Sequence, residues 1–267
     1  MIEITSRDNQ KLKFVRKIRD GKVVNLIFIE GLRLAEETLK SNINITEAFI
    51  SKEFAEDQKN SQIIKKLSDQ TEIYVVSEKI FKSISDTKNP QGIILICEKP
   101  EFEKDNFLQI ENSENEIPVT ILLHNINNPS NLGAIFRTAE AVGVKRIFIS
   151  KNSANAFSPK ALRASMGSVL RVAVWENIDF EEVLSKAKEN KLTTICADIN
   201  SDKNYTEVDW KKPRLLIFGS EAHGLTQTER KKIEESLFIP MEKTVESLNL
   251  AVACGVILFE AKRQNSN

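Results

Sequence analysis

Three segments of this 267-residue chain constrain its fold more than anything else in it. They are Asn127-Asn-Pro-Ser-Asn131-Leu-Gly-Ala-Ile-Phe-Arg137, Leu215-Leu-Ile-Phe-Gly219-Ser-Glu221-Ala-His-Gly224-Leu225, and Ile239-Pro-Met-Glu-Lys-Thr-Val-Glu-Ser247-Leu-Asn249. Each couples a strand-like apolar run to a polar turn rich in Asn, Gly, Ser or Pro. In an open α/β sheet such turns gather at the carboxyl ends of the strands, where ligands bind. The chain is therefore expected to build an α/β fold with one site assembled from three loops.

The rest of the chain supports that class. Residues 1–99 read as a small α/β unit. Ser6 is a candidate cap for a helix carrying Leu12, Val15 and Ile18, and Glu30-Gly31 opens a second helix with Leu32, Ala35 and Leu39. Val24–Ile29, Glu47–Ser51, Ile73–Val76 and Gly92–Cys97 read as strands, with a helix around Ser61–Ser68. Residues 100–117 form a polar connection with a short helix around Phe107–Ile110, and a domain boundary belongs there. Residues 118–267 restart the pattern with strands at Val119–Leu123, Arg146–Ser150, Ser168–Val174, Leu192–Ala197, Leu215–Phe218 and Leu237–Ile239. Helices are expected at Leu132–Val142, stopped by Gly143, and at Phe180–Asn190, Thr226–Glu235 and Leu248–Arg263. Strand, helix and strand in series predict parallel crossovers in a covered sheet.

Charge and cysteine content narrow the function. Net formal charge is zero, so global charge says nothing about a polyanionic partner. Locally, residues 6–22 hold Arg7, Lys11, Lys13, Arg16, Lys17, Arg19 and Lys22 against Asp8 and Asp20. That run is suited to phosphate, whereas the acidic run 101–116 would repel it. Cys97, Cys196 and Cys254 are far apart, and His124 and His223 are the only histidines. Neither a disulfide scaffold nor a metal site is expected. Reduced thiols, the lack of an apolar signal core at the start, and a longest apolar run of only Leu250 to Phe259 predict a cytoplasmic protein with no membrane span.

Each motif residue has a plain structural reading beside a functional one. Asn131, where a loop enters a helix, is either an N-cap or a site residue. Arg137 is either a surface helix residue or a guanidinium fixed beside a phosphate or developing oxyanion. Gly219 at a strand exit lets a ligand approach the backbone, and Glu221 is a loop acid or a ligand group. The Gly219–Gly224 spacing is not a phosphate loop, because Leu225-Thr226 stands where Lys-Ser/Thr is needed. Ser247 is a candidate N-cap for a last helix that is apolar nearly all round from Leu250 to Phe259. Such a helix is buried on more than one face, inside the domain or against a second subunit.

Together the three segments resemble the signature motifs of the SpoU-type RNA 2'-O-ribose methyltransferases of the SPOUT superfamily. The resemblance is strong over about residues 118–264 and includes Ser158-Pro159 and Arg163-Ala-Ser-Met-Gly167. It extends weakly to Ser6–Lys11 and Phe28–Leu34, which are similar to the family's RNA substrate-binding domain. It implies a trefoil-knotted, mostly parallel C-terminal domain that binds S-adenosylmethionine (SAM) and forms a homodimer. By position it assigns Gly219, Ile239, Leu248, Met241 and Asn249 to the cofactor. It assigns Asn131, Arg137, Glu221, Ser247 and Asn249 to catalysis and the RNA site, and Arg7, Lys11, Arg16 and Arg163 to RNA contact. Ala222 and Lys243 depart from the family's usual glycines, and Lys243 is the larger change, in the loop over the cofactor.

The chemistry the resemblance implies is methyl transfer to a ribose 2'-hydroxyl, with ribosomal RNA the expected target. Guanidinium groups stay protonated near neutral pH, so the Arg137 role expected here is gripping phosphate and stabilising alkoxide charge rather than acting as a base. The alternatives are a non-catalytic RNA-binding or ribosome-assembly protein on the same fold, a tRNA ribose methyltransferase, and a methyltransferase acting on protein or small molecules.

Overall fold

A computed structural model describes residues 1–102 and 117–266. The helix expected around Phe107–Ile110 lies outside the described residues. The elements run β1 (Ile2–Ile4), α1 (Gln10–Arg19), β2 (Leu26–Glu30), α2 (Leu32–Lys40), β3 (Ile45–Ser51), α3 (Lys52–Glu56), α4 (Ser61–Ser68), β4 (Glu72–Val76), α5 (Glu78–Ile84) and β5 (Ile93–Glu98). They continue with β6 (Val119–Leu123), α6 (Pro129–Val142), β7 (Arg146–Ser150), α7 (Pro159–Ser165), β8 (Ala173–Ile178), α8 (Phe180–Glu189) and β9 (Thr193–Ala197). β10 (Arg214–Phe218), α9 (Gln227–Arg230), β11 (Glu235–Leu237) and α10 (Leu250–Asn265) complete the chain.

Two compact units result: Met1–Glu101 with Phe157–Leu170, and Phe102–Ala156 with Arg171–Asn267. The first unit holds a five-stranded sheet in the order β1-β4-β3-β5-β2. β1, β4 and β3 are parallel, while β5 runs antiparallel to both β3 and β2. α1 lays Leu12, Val15 and Ile18 against this sheet, as its three-residue spacing predicts. Its cap is Asn9, whose side chain accepts from the Lys11 N–H at 2.9 Å, and not Ser6, whose hydroxyl accepts from Asp8. The segment containing α7 packs with this unit, and its Arg163 pairs with Asp86 at 2.7 Å.

The second unit holds a six-stranded sheet in the order β11-β9-β10-β6-β7-β8, parallel throughout. Leu122, Phe148, Trp175, Leu215 and Ile217 belong to one core, and Phe148 stacks on Trp175 with centroids 5.0 Å apart. Strands buried on both faces read as continuous apolar runs, which is why β6, β7 and β10 are plain in the sequence.

Three sequence expectations after Pro118 fail for identifiable reasons. The strand expected at Ser168–Val174 starts only at Ala173, because the register pairs Ala173 with Arg146, the first residue of β7. Ser168–Leu170 instead forms a 3₁₀ turn. The helix expected over Thr226–Glu235 lasts only from Gln227 to Arg230. Glu234 accepts hydrogen bonds from the Thr194 N–H (2.8 Å) and hydroxyl (3.0 Å), which draws the chain into β11. Long-range pairing here overrides helical pattern. Finally, α10 begins at Leu250 with Asn249 as its cap, not Ser247.

α10 is apolar on two sides, but among the described residues only one is covered. Cys254, Ile257, Leu258 and Ala261 are buried, and the helix packs on α6. Val252 and Phe259, two turns apart on the outer side, are 52% and 57% exposed. Its far end is tied down by Trp210, which is completely buried. The Trp210 ring N–H donates to the Tyr205 carbonyl at 3.0 Å, and its backbone N–H donates to Gln264 at 3.0 Å. Trp210→Ala is expected to cost about 3–5 kcal/mol of stability. Urea unfolding monitored by circular dichroism checks this, and a loss under about 1 kcal/mol contradicts the anchoring role.

Candidate functional site

The carboxyl ends of β9, β10 and β11 open onto a cavity of about 480 Å³. Its walls come from the turn after β9 (Ala197–Asn200), the loop after β10 (Gly219–Leu225), the chain after β11 (Ile239, Met241), and the approach to α10 (Glu246–Leu248). Gly219, Glu221, Ile239, Met241, Ser247 and Leu248 all line it, so the second and third motifs meet at one place. Asn131, Arg137 and Asn249 do not line it.

Gly219 is required by the fold of its own loop. A Cβ at this position would sit 2.3 Å from the Gly224 carbonyl carbon and 2.5 Å from the Leu225 nitrogen. The crowding comes from the loop's own backbone, not from a ligand. Ser220 and Gly224 exchange two backbone hydrogen bonds, 3.1 and 2.9 Å, which fold the loop back on the strand exit. Gly224 closes it with φ of 64°, a left-handed conformation suited to glycine. Ala222 is not among the positive-φ residues, so an alanine is accommodated without strain.

The three motifs are tied together by side chains. Asn249 caps α10 by accepting from the backbone N–H groups of Ala251 (2.9 Å) and Val252 (3.4 Å). Its amide N–H then donates to the Asn131 side-chain oxygen at 3.1 Å. The Asn131 amide N–H donates in turn to Glu221 at 3.2 Å. Glu221 also accepts from the backbone N–H groups of Asn127 (3.1 Å) and Asn128 (3.2 Å). Burial alone would raise the Glu221 carboxyl, but these N–H donors hold it below the usual carboxylate value. It is a charged anchor near neutral pH and a poor proton acceptor.

Asn131 is buried inside α6 rather than capping it. The cap is Asn128, which accepts from the Ser130 N–H at 2.9 Å, with Pro129 in the first helical turn. Arg137 lies further along α6, exposed, with no hydrogen bond or ion pair among the described residues. Glu221 therefore orients Asn131 and the turn before α6, not Arg137. Lys243 is likewise exposed and without a partner among the described residues.

The four basic residues expected at RNA all fall in the first unit, in different surroundings. Lys11 pairs with Glu47 and stands over the Tyr74 ring. Arg16 donates to the Ser83 hydroxyl at 2.9 Å and to the Arg7 carbonyl at 3.2 Å. Arg163 pairs with Asp86. Only the Arg7 guanidinium lacks a partner among the described residues. Among the described residues there is no cluster of His, Cys, Asp and Glu suited to a metal, and no helix long and apolar enough to cross a membrane.

Sequence reasoning missed the turn after β9 and the role of His124. The first was legible as another strand ending in polar residues, but no motif marked it. His124 is buried and its Nε2 lies 2.9 Å from Glu229, a contact between the end of β6 and α9 that no local pattern announces.

Comparison with known proteins fits this architecture. Residues 118–259 match the SpoU rRNA Methylase family, and residues 28–103 match the RNA 2'-O ribose methyltransferase substrate binding family. The chain belongs to the SpoU family and is an SAM-dependent RNA 2'-O-methyltransferase. It is 27% identical to the 23S rRNA (guanosine(2553)-2'-O)-methyltransferase RlmP of Bacillus subtilis, covering 98% of this chain and 100% of that one. It is 29% identical to an uncharacterized tRNA/rRNA methyltransferase of Synechocystis, covering 98% and 93%. The AdoMet-bound rRNA methyltransferase of Sinorhizobium meliloti superposes with a TM-score of 0.84 at 27% identity, over 98% of this chain and 97% of that one.

The cavity fits such a cofactor. Its volume lies in the range usual for ligand sites, about 300–1,000 Å³, and it combines aliphatic walls with a glycine-rich backbone edge. Gly219→Ala is expected to weaken SAM binding at least about tenfold by displacing the Ser220–Gly224 turn. Isothermal titration measures this, and unchanged affinity contradicts the close-packed loop.

Proposed function

We propose that this protein methylates a ribose 2'-hydroxyl of ribosomal RNA, with SAM held in the cavity bounded by Gly219, Ile239, Met241 and Leu248. The observation that carries the reading is the hydrogen-bonded chain Glu221–Asn131–Asn249, which joins all three motifs and meets that cavity through Glu221. When bound, SAM supplies a sulfonium methyl group as the electrophile. Much of the acceleration then comes from alignment, because a fixed geometry replaces a bimolecular encounter.

The residues divide the work as follows. Glu221 and Asn131 hold the turn 127–131 in register with the cofactor loop. Asn249 ties that pair to the start of α10. Ser247, exposed at the cavity wall, is free to meet the incoming nucleotide. Arg137 grips the target phosphate and stabilises charge developing on the attacking oxygen. Arg7, Lys11, Arg16 and Arg163 belong to the RNA face of the first unit, with Arg7 the most available. Ribosomal RNA is favoured over tRNA because the first unit matches a substrate-binding family and the Bacillus subtilis and Sinorhizobium meliloti relatives carry rRNA names.

The reading includes a homodimer formed through the C-terminal unit, a trefoil threading of that unit, and a cytoplasmic location. Supporting the dimer are Val252 and Phe259, exposed apolar side chains two turns apart on the outer side of α10. α10 packs on α6, the helix that carries Arg137, so pairing across this side would bring Arg137 to the border of two subunits.

Two experiments test this. Labelled SAM with total RNA should label RNA at the ribose, and Arg137→Ala should lower turnover at least about 100-fold while leaving SAM affinity within about twofold. No label in RNA despite SAM binding would favour a non-catalytic RNA-binding protein, and label in tRNA alone would overturn the ribosomal target. Separately, Phe259→Asp should convert the dimer to monomer in sedimentation at micromolar concentration. A variant that still sediments as a dimer removes α10 from the interface.

A further inference from the structure

α9 is a single turn of helix, and its last two residues engage two different parts of the unit. Glu229 closes a capping box with Thr226 and meets the buried His124 at the end of β6. Arg230, next to it, points the other way. Its guanidinium pairs with Asp198 and donates to the Ser236 hydroxyl at 3.1 Å. The Ser236 hydroxyl donates in turn to the Ser201 hydroxyl at 3.0 Å.

Asp198 is where this network meets the cavity. It lines the wall together with Ala197, Ile199 and Asn200. Its backbone N–H donates to the Leu237 carbonyl at 2.8 Å, and its carboxylate accepts from the Asn200 N–H at 2.7 Å. Its backbone carbonyl accepts from the Ser201 N–H at 3.1 Å. The turn is thus wound tightly around one carboxylate. Ile199, at its tip, is 61% exposed although it faces the cavity. An exposed isoleucine on a short polar turn keeps its position only if the turn itself is held. Apart from Arg230, the polar contacts of the Asp198 side chain lie within its own turn.

We propose that Arg230 is a positioning residue for the cofactor: through Asp198 and the Ser236–Ser201 pair it holds the turn Ala197–Asn200 as the fourth wall of the SAM cavity. This rests on the assignment of that cavity to SAM. Arg230 itself does not line the cavity and touches no reacting atom. Its effect therefore falls on SAM affinity and on the mobility of the turn. A guanidinium can bond Asp198 and Ser236 together from one planar group, whereas an ammonium can keep the charge pairing and lose the fork.

The test uses the full chain with four proteins: wild type, Arg230→Ala, Arg230→Lys and Asp198→Asn. Amide hydrogen exchange is measured without cofactor, SAM affinity by titration calorimetry, and KM and kcat with RNA separately. In Arg230→Ala, exchange over residues 198–203 should accelerate at least about tenfold while the other strands stay protected. SAM Kd and KM should rise about tenfold, and kcat at saturating SAM should change by less than about threefold. Arg230→Lys should recover most of the SAM affinity, and Asp198→Asn should weaken SAM as Arg230→Ala does. Unchanged exchange and SAM affinity in Arg230→Ala overturn the proposal. So does a fall in kcat with SAM KM unchanged, or a global loss of protection that Arg230→Lys does not recover. If the wild type binds SAM but a crystal structure finds it outside this cavity, the cavity assignment fails as well; if SAM is in the cavity and Arg230→Ala binds it normally, only this inference fails.

Discussion

The Asn249 side chain can point only one way, and much of the site depends on that. Its oxygen accepts two backbone N–H groups at the start of α10, so its nitrogen must donate outward. The Asn131 oxygen receives that bond, which turns the Asn131 nitrogen toward Glu221. Glu221, as a carboxylate, can only accept, and it completes the chain with the N–H groups of Asn127 and Asn128. Neither the Asn249 nor the Asn131 amide could be reversed without breaking its bonds on both sides. Three loops far apart in sequence, near residues 128, 221 and 249, are thereby held in one register. Asn131 is the buried member of the chain, and leaving its amide without a partner would cost about 1–3 kcal/mol.

Around that chain, the parallel sheet supplies geometry and the loops supply chemistry. β9, β10 and β11 end at the same edge, so their exits converge without any long excursion of the chain. The loop after β10 is folded so tightly that only glycine fits at its base. The result is a cavity with a rigid backbone edge on one side and aliphatic residues on the other. Arg137 stands apart from it on α6 with its guanidinium unengaged among the described residues. Such a charge, not neutralised inside the fold, is available to an external phosphate in a way that Arg16 and Arg163 are less free to be.

How much of this was legible in the sequence depended on whether the deciding interactions were local. β6 and β7 were found to the residue because doubly buried strands are unbroken apolar runs. Gly143 was legible as a helix stop because a left-handed cap favours glycine, and it sits there with φ of 93°. Caps chosen among several candidates were not legible. Ser247 and Asn249 are equally good capping residues by type, and the choice falls to Asn249 because its other end meets Asn131. Asn131 was left open as a cap or a site residue, and the cap falls to Asn128 instead. The helix after Thr226 was overextended because Glu234 bonds Thr194, forty positions away. Gly219 was read as a point where a ligand approaches the backbone, whereas the return of Gly224 onto the strand exit is a feature of the folded loop that no local pattern announces.

The account's central claim is that one cofactor cavity is framed by the loops after β9, β10 and β11 and held by the Glu221–Asn131–Asn249 chain. A crystal structure of the protein with SAM bound tests this most directly. The account predicts the sulfonium inside the cavity beside Gly219, Ile239 and Leu248, with the Asn131–Asn249 and Asn131–Glu221 bonds intact. Cofactor bound at another strand edge, or bound in the cavity with both bonds broken, would contradict it.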